Sequence, residues 1–191
     1  MLAPSARADD GDNRTVQAQF SPGFVGGKLQ ACNLSFNLAH RDRATMNGSM
    51  TLLAGTVAVA KANGRTGMVM RLGVIQPSVN GQPSIQIAPA EAALQDGRRT
   101  NASSLAGSRD VATGYKAFIF KADQQTASML STMVAASHLT GYYALKAGGL
   151  GSNFDVDLTV AKTSPQGQVT RDPDMAGRFT ACLRDLGRPG A

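Results

Sequence analysis

The sequence predicts a mainly β domain, an antiparallel β-sandwich with one mid-chain helix at about 124–138 and a C-terminal helix at about 173–186. Three observations predict it. Leu29 to His40 reads L-Q-A-C-N-L-S-F-N-L-A-H, with Cys32, Leu34, Phe36 and Leu38 alternating against Asn33, Ser35 and Asn37. A period of two puts the first set on one face of a strand and the second on the other. Asn63-Gly64 stands between two alternating apolar runs, the pattern of a type I′ hairpin turn. Helical periodicity is confined to two stretches, one after Asp123 and one after Asp172.

Taken in order, residues 1–8 read as the remnant of a signal peptide, because Ala6-Arg7-Ala8 has the small-x-small pattern of a cleavage site. Residues 9–26 read as a flexible N-terminal segment, with a weak edge strand over Thr15 to Phe20 and a turn at Ser21 to Gly27, where Pro22 lies among glycines. The β-rich domain is expected as one unit over 27–187, with roughly seven or eight strands. Met50 to Ala62 is a strand whose apolar parity changes near Gly55, which predicts a β-bulge there. Met68, Met70, Leu72 and Val74 form its return strand, and Ile85 with Ile87 a short one. Ala90 to Leu94 has a helix-favouring composition and is expected to make a helical turn. Gly97 to Ser108 reads as an exposed loop.

The second half opens on a strand at Tyr115 to Lys121 with Phe118 and Phe120 on one face. Asp123 is placed to N-cap the mid-chain helix, whose buried stripe is Met129, Leu130, Met133 and Val134. Tyr142 to Lys146 and Phe154 to Val160 are strands joined by the glycine-rich loop 147–153. Asp172-Pro173-Asp174 provides an N-cap, a proline for the first helical position and an early carboxylate. Met175, Phe179, Cys182, Leu183 and Leu186 then form an amphipathic stripe. Cys182 lies in that stripe and Cys32 on the apolar face of its strand, so the two can meet in the core. There they are expected to form a disulfide that pins the C-terminal helix, the alternative being two buried thiols acting as small hydrophobes.

Three sets of residues look familiar together. They are Leu29-x-x-Cys32-x-Leu34-x-Phe36, then Tyr143-Ala-Leu-Lys-x-Gly-Gly149 with Phe154-x-Val-x-Leu-Thr-Val160, and Phe179-x-x-Cys182-Leu-x-x-Leu186. With them the chain resembles a group of uncharacterised exported proteins of proteobacteria. The resemblance implies a periplasmic or secreted, soluble protein and transfers no activity.

No recognisable chemistry is assembled in the sequence. Two histidines, His40 and His138, stand alone, without a G-x-S-x-G elbow or an S-x-x-K motif. A hydrolase would have to use His40 as base with Asp42 or a distant carboxylate and a serine from elsewhere. His138 is expected to end the mid-chain helix, where the dipole favours it. Two distant cysteines and two distant histidines do not match zinc spacing, and Asp155 with Asp157 reads as a solvated strand face. The Gly148-Gly149-x-Gly151 loop joins strands instead of opening a helix, so it is no phosphate cradle. Met68, Met70, Met129 and Met133 hint at an adaptable apolar pocket or simply fill the core.

The net charge is +6, but its cations are scattered and interleave with no aromatic platform, which argues against nucleic acid. No apolar run reaches the ~18 residues that span a bilayer. The sequence therefore assigns no catalytic residue, no metal ligand and no cofactor, and leaves the ligand-binding residues open. It predicts a non-catalytic binding or accessory module of the bacterial envelope, whose partner is an envelope protein or an anionic envelope component. The alternatives are a carrier of a small apolar ligand held between sheets or under a helix, and a hydrolase built on His40.

Overall fold

The computed structural model describes residues 13–42, 48–62, 64–78 and 83–188. The expected signal-peptide remnant, 1–8, lies outside them. Two antiparallel sheets face each other. The larger, seven-stranded sheet has the order β1(Asn13–Val25), β2(Lys28–Asp42), β3(Ser49–Ala62), β4(Arg65–Gln76), β9(Tyr115–Lys121), β8(Leu105–Ala112), with β5(Ile85–Ile87) pairing beside β4. The smaller, four-stranded sheet runs β11(Gly151–Asp157), β10(His138–Ala144), β6(Glu91–Asp96), β7(Arg99–Thr100), and β12(Val160–Thr163) pairs with β13(Val169–Arg171) apart from both. Helix α1(Gln124–Ala135) packs on β6 and β10, and α2(Met175–Gly187) packs on β2 and β1. The mainly β, sandwich-like class with two helices is therefore as predicted, with more strands than expected.

The core lies where the alternation places it. Leu34, Phe36 and Leu38 are buried on the inner face of β2, as are Met68, Met70, Leu72 and Val74 on β4 and Phe118 with Phe120 on β9. The Phe36 ring stacks on Phe154 of the opposite sheet, with centroids 5.8 Å apart. Cys32 and Cys182 are joined in a disulfide, which ties α2 to β2 across 150 residues of sequence.

Several local expectations are corrected by the structure. The described part of the segment expected to be flexible over 9–26 is the long edge strand β1, and the turn expected from Ser21 comes only at Gly26 and Gly27, both at positive φ. Pro22 is tolerated because an edge strand leaves one side of its backbone unpaired. No bulge interrupts β3 at Gly55; its pairing with β2 is unbroken from Ala31 opposite Ala60 to Asp42 opposite Ser49. The parity change arises because Met50 and Leu52 point outward, while Thr51 and Leu53 are buried. Gly55 serves packing instead: a Cβ there would stand 2.5 Å from Phe36 Cζ and 2.6 Å from Leu72 Cδ2.

Ala90 to Leu94 is not helical. Ala92, Ala93 and Leu94 are consecutive and all buried in β6, so both faces of the strand are covered, and this burial overrides local propensity. The stretch from Gly97 to Ser108 is not a plain exposed loop. It contains β7, one 3-10 turn at Ala102–Ser104 and the start of β8. Asn101 is fully buried within it, its carboxamide oxygen accepting from the Leu94 N–H at 2.9 Å.

The helices begin and end differently from the periodicity alone. Asp123 caps α1 as expected, accepting from the Thr126 N–H at 2.9 Å, and the predicted stripe is buried. The helix stops at Ala135, because Ser137 takes a left-handed conformation at φ +58° and turns the chain into β10. His138 is thus the first residue of a strand, not the last of a helix. Helix α2 starts at Met175 with Asp174 as its N-cap; Pro173 precedes the helix, and Asp172 is ion-paired with Arg178. Of the Asn-Gly turn, Gly64 has φ +74° and Ala62 pairs with Arg65; Asn63 lies outside the described residues.

Candidate functional site

Two places gather polar side chains: a buried cluster between the sheets and a groove on the outer face of the large sheet. The cluster grows from the end of β2. His40 and Asp42, two apart, both turn inward and are 2% and 0% exposed. Facing them, the β10–β11 hairpin places Tyr143 opposite Ser152. The Tyr143 hydroxyl donates to Asp42 Oδ2 at 2.7 Å, and Ser152 Oγ donates to Asp42 Oδ1. Since Tyr143 gives its single proton to Asp42, its 2.8 Å contact with His40 Nε2 makes that nitrogen the donor. Asn13 Oδ1 lies 3.2 Å from His40 Nδ1, and Thr51 Oγ1 donates to the His40 carbonyl at 3.2 Å. Burial, aided by the Asp42 carboxylate, holds the Tyr143 hydroxyl well above the usual phenol range, so it remains a donor.

This arrangement contains the serine, histidine and aspartate that a hydrolase reading needs, in the wrong order. The chain of hydrogen bonds runs His40, Tyr143, Asp42, Ser152. A hydrolytic triad needs the histidine between serine and aspartate. The four side chains are at most 5% exposed, so no substrate reaches them without opening the sandwich. Among the described residues these side chains satisfy one another's buried polar groups.

His138 lies elsewhere. Its Nδ1 is 2.8 Å from Asp155 Oδ1, at the partly exposed outer face of β10 and β11. Asp157 accepts from the Thr159 N–H at 2.8 Å, from Thr159 Oγ1 at 2.7 Å and from Arg171 Nη1 at 3.0 Å. Burial pushes the Asp157 carboxyl up, but these donors outweigh it and hold it below the usual carboxylate range. The solvated face expected for Asp155 and Asp157 is therefore a set of engaged carboxylates. Met68, Met70, Met129 and Met133 are all packed in the core. Among the described residues no group of three or more His, Cys, Asp or Glu could hold a metal ion, and no helix is long and apolar enough to cross a membrane.

The groove is a feature that the sequence pattern reveals only in part. It has a volume of about 250 Å³ and crosses β1, β2, β3, β4 and β9 on the face turned away from the core. Gln17, Gln19, Asn37 and Thr56 line it with amides and a hydroxyl, and Arg71 with Tyr115 closes one side. The strand register explains the gathering: Gln17 is opposite Asn37, Gln19 opposite Ser35, Ser35 opposite Thr56, and Thr56 opposite Arg71. The Arg71 guanidinium lies over the Tyr115 ring, 4.6 Å from its centroid. The ring in turn rests where Gly73 has no side chain, since a Cβ there would come within 2.6 Å of it. Arg71 is the only charged side chain among the lining residues.

The signal for this site is present in part. Along the middle of β2 the outward residues are Asn33, Ser35 and Asn37, two amides and a hydroxyl in alternate positions, with the charged Arg41 only at its end. No protein-family model, curated protein or solved structure matches this chain, so the geometry alone bears on its function.

Proposed function

We propose that this protein is a non-catalytic binding module, periplasmic or secreted, whose recognition surface is the groove on the outer face of the large sheet. The observation that carries the reading is Arg71. The Tyr115 ring lies under its guanidinium, 4.6 Å from the guanidinium carbon, and holds the cation over the groove by cation–π contact. A guanidinium held this way suits a carboxylate or sulfate, which it can bind through paired N–H···O bonds. Around it, amides and hydroxyls offer donors and acceptors for a polyhydroxylated ligand. The ligand class is therefore an acidic saccharide. The Cys32–Cys182 bridge supports a location outside the reducing cytoplasm.

Isothermal titration calorimetry with a hexasaccharide of uronic acid tests the reading. Binding by the wild type, weakened tenfold or more in Arg71→Gln and absent for a neutral hexasaccharide, is the expected result. A wild type that ignores the acidic ligand, or an Arg71→Gln protein that binds as tightly, would overturn it.

A further inference from the structure

The two ends of the sandwich are different. One end is closed by the His40–Tyr143–Asp42–Ser152 cluster. At the other, the β1–β2 hairpin projects with Phe24 62% and Val25 70% exposed, the largest apolar exposure on the large sheet among the described residues. Leu150, 77% exposed, stands singly on the loop between β10 and β11, whereas Phe24 and Val25 are adjacent and leave a joint apolar surface in water that contributes nothing to the core.

What surrounds the tip identifies the partner. Val25 is opposite Lys28, and Ala31 is opposite Ala60, so the tip lies level with the turn between β3 and β4. That turn is flanked by Lys61 and Arg65, with Lys121 opposite Gly67 on the next strand. Lys61 Nζ donates to the Arg188 carbonyl at 3.3 Å, which brings the basic end of α2 to the same place. Lys28, Lys61, Arg65 and Lys121 thus form a collar behind the apolar tip. Arg188 is paired with Asp185 at 3.2 Å, and Asp123, bonded to the start of α1 and to Ser104, is the carboxylate that offsets one of the four.

We infer that this end docks on an anionic lipid bilayer, with Phe24 and Val25 entering the interface and the collar meeting the headgroups. An aromatic and an aliphatic side chain supply the apolar insertion, and cations within a Debye length of the surface supply the electrostatic attraction. Neither is sufficient alone, which makes the binding reversible and dependent on salt. The docked orientation leaves the groove along the side of the sheet, away from the membrane. This inference is independent of the ligand proposed for the groove.

Co-sedimentation of the full chain with vesicles decides it. Vesicles of phosphatidylcholine with phosphatidylglycerol should bind the protein about tenfold or more tightly than phosphatidylcholine alone, and binding should fall as salt rises. Phe24→Ser/Val25→Ser and Lys28→Gln/Arg65→Gln should each lower binding about fivefold or more while leaving the melting temperature near that of the wild type. Arg109→Gln/Lys146→Gln removes the same charge away from the tip and should keep binding near the wild-type level. If either tip variant does not fold, the other carries the test. Failure of the wild type to bind anionic vesicles would overturn the inference. So would equal losses in the control, which would mean attraction by net charge alone, or a concentration-dependent dimer that the tip variants abolish, which would mean that a second copy covers the tip.

Discussion

Strand β2 presents two faces built from the same backbone, and they do opposite things. Inward, Cys32 is bonded to α2, Leu34 and Leu38 fill the core, Phe36 stacks on the opposite sheet, and His40 with Asp42 begin the buried polar cluster. Outward, Asn33 donates to the Ser21 carbonyl at 3.0 Å, Ser35 meets Thr56 at 3.2 Å, and Asn37 lines the groove. Each inward residue is held by a partner within the molecule. The outward residues cover a surface whose amides and hydroxyls retain bonding capacity beyond those contacts. Stability and the proposed recognition are thus separated by one step along the chain, and substitutions one residue apart should differ in kind.

The sharpest contrast is between Phe36 and Asn37. Phe36→Ala should cost about 3–5 kcal/mol, the transfer and cavity terms of a fully packed aromatic. Asn37→Ala should stay within about 0.5 kcal/mol. Urea denaturation of both variants measures this, and equal losses would break the comparison. Next comes the disulfide. Replacing both cysteines in Cys32→Ala/Cys182→Ala should cost about 2–5 kcal/mol, because the bridge closes a long loop in the unfolded chain. A midpoint in urea shared by the oxidised wild type and the double variant would show that burial of α2, and not the cross-link, holds the C-terminus.

The buried cluster is the intermediate case, polar but inward. Tyr143→Phe deletes one hydroxyl and leaves Asp42 and His40 each short of that partner. The expected cost is about 1–3 kcal/mol, the penalty for an unsatisfied buried group. If Tyr143→Phe proved neutral, the cluster would be hydrated in solution, and the inward face would be less tightly held than its burial indicates.

The same contrast explains which features are legible in the sequence. Inward positions repeat along one strand, so β2, β4 and β9 are readable from alternation, and two apolar faces bring the cysteines together. Capping is equally local, which is why Asp123 can be picked out. Met50 and Leu52 mislead because an apolar residue on an outer face imitates a change of register. Ala90 to Leu94 misleads because a strand buried on both faces loses its alternation and leaves only composition, which there favours helix. The groove takes its lining from five strands, and the contact of Arg71 with Tyr115 exists only once β4 and β9 are paired. His40 and Asp42 are visible as a pair, but Tyr143 and Ser152 reach them from the opposite sheet.

Asp157 on β11 sharpens the comparison at its smallest scale. It alternates with Phe154 and Val156, yet its outward side chain is engaged, accepting from Thr159 and from Arg171. Because the folded carboxyl is held below its usual range, its contribution is fully present above the unfolded value of about 3.9 and is lost as the pH falls through the folded value. The pair with Arg171 is partly exposed and screened by salt, so Asp157→Asn should cost only about 0.5–1 kcal/mol at pH 7. As the pH falls through the folded value the wild type and the variant should converge, since protonation removes the charge the substitution removes. A difference that stays unchanged over the whole acid limb of the titration would assign the cost to the neutral hydrogen bonds with Thr159, and would tie this outward position to the fold as firmly as the inward face of β2.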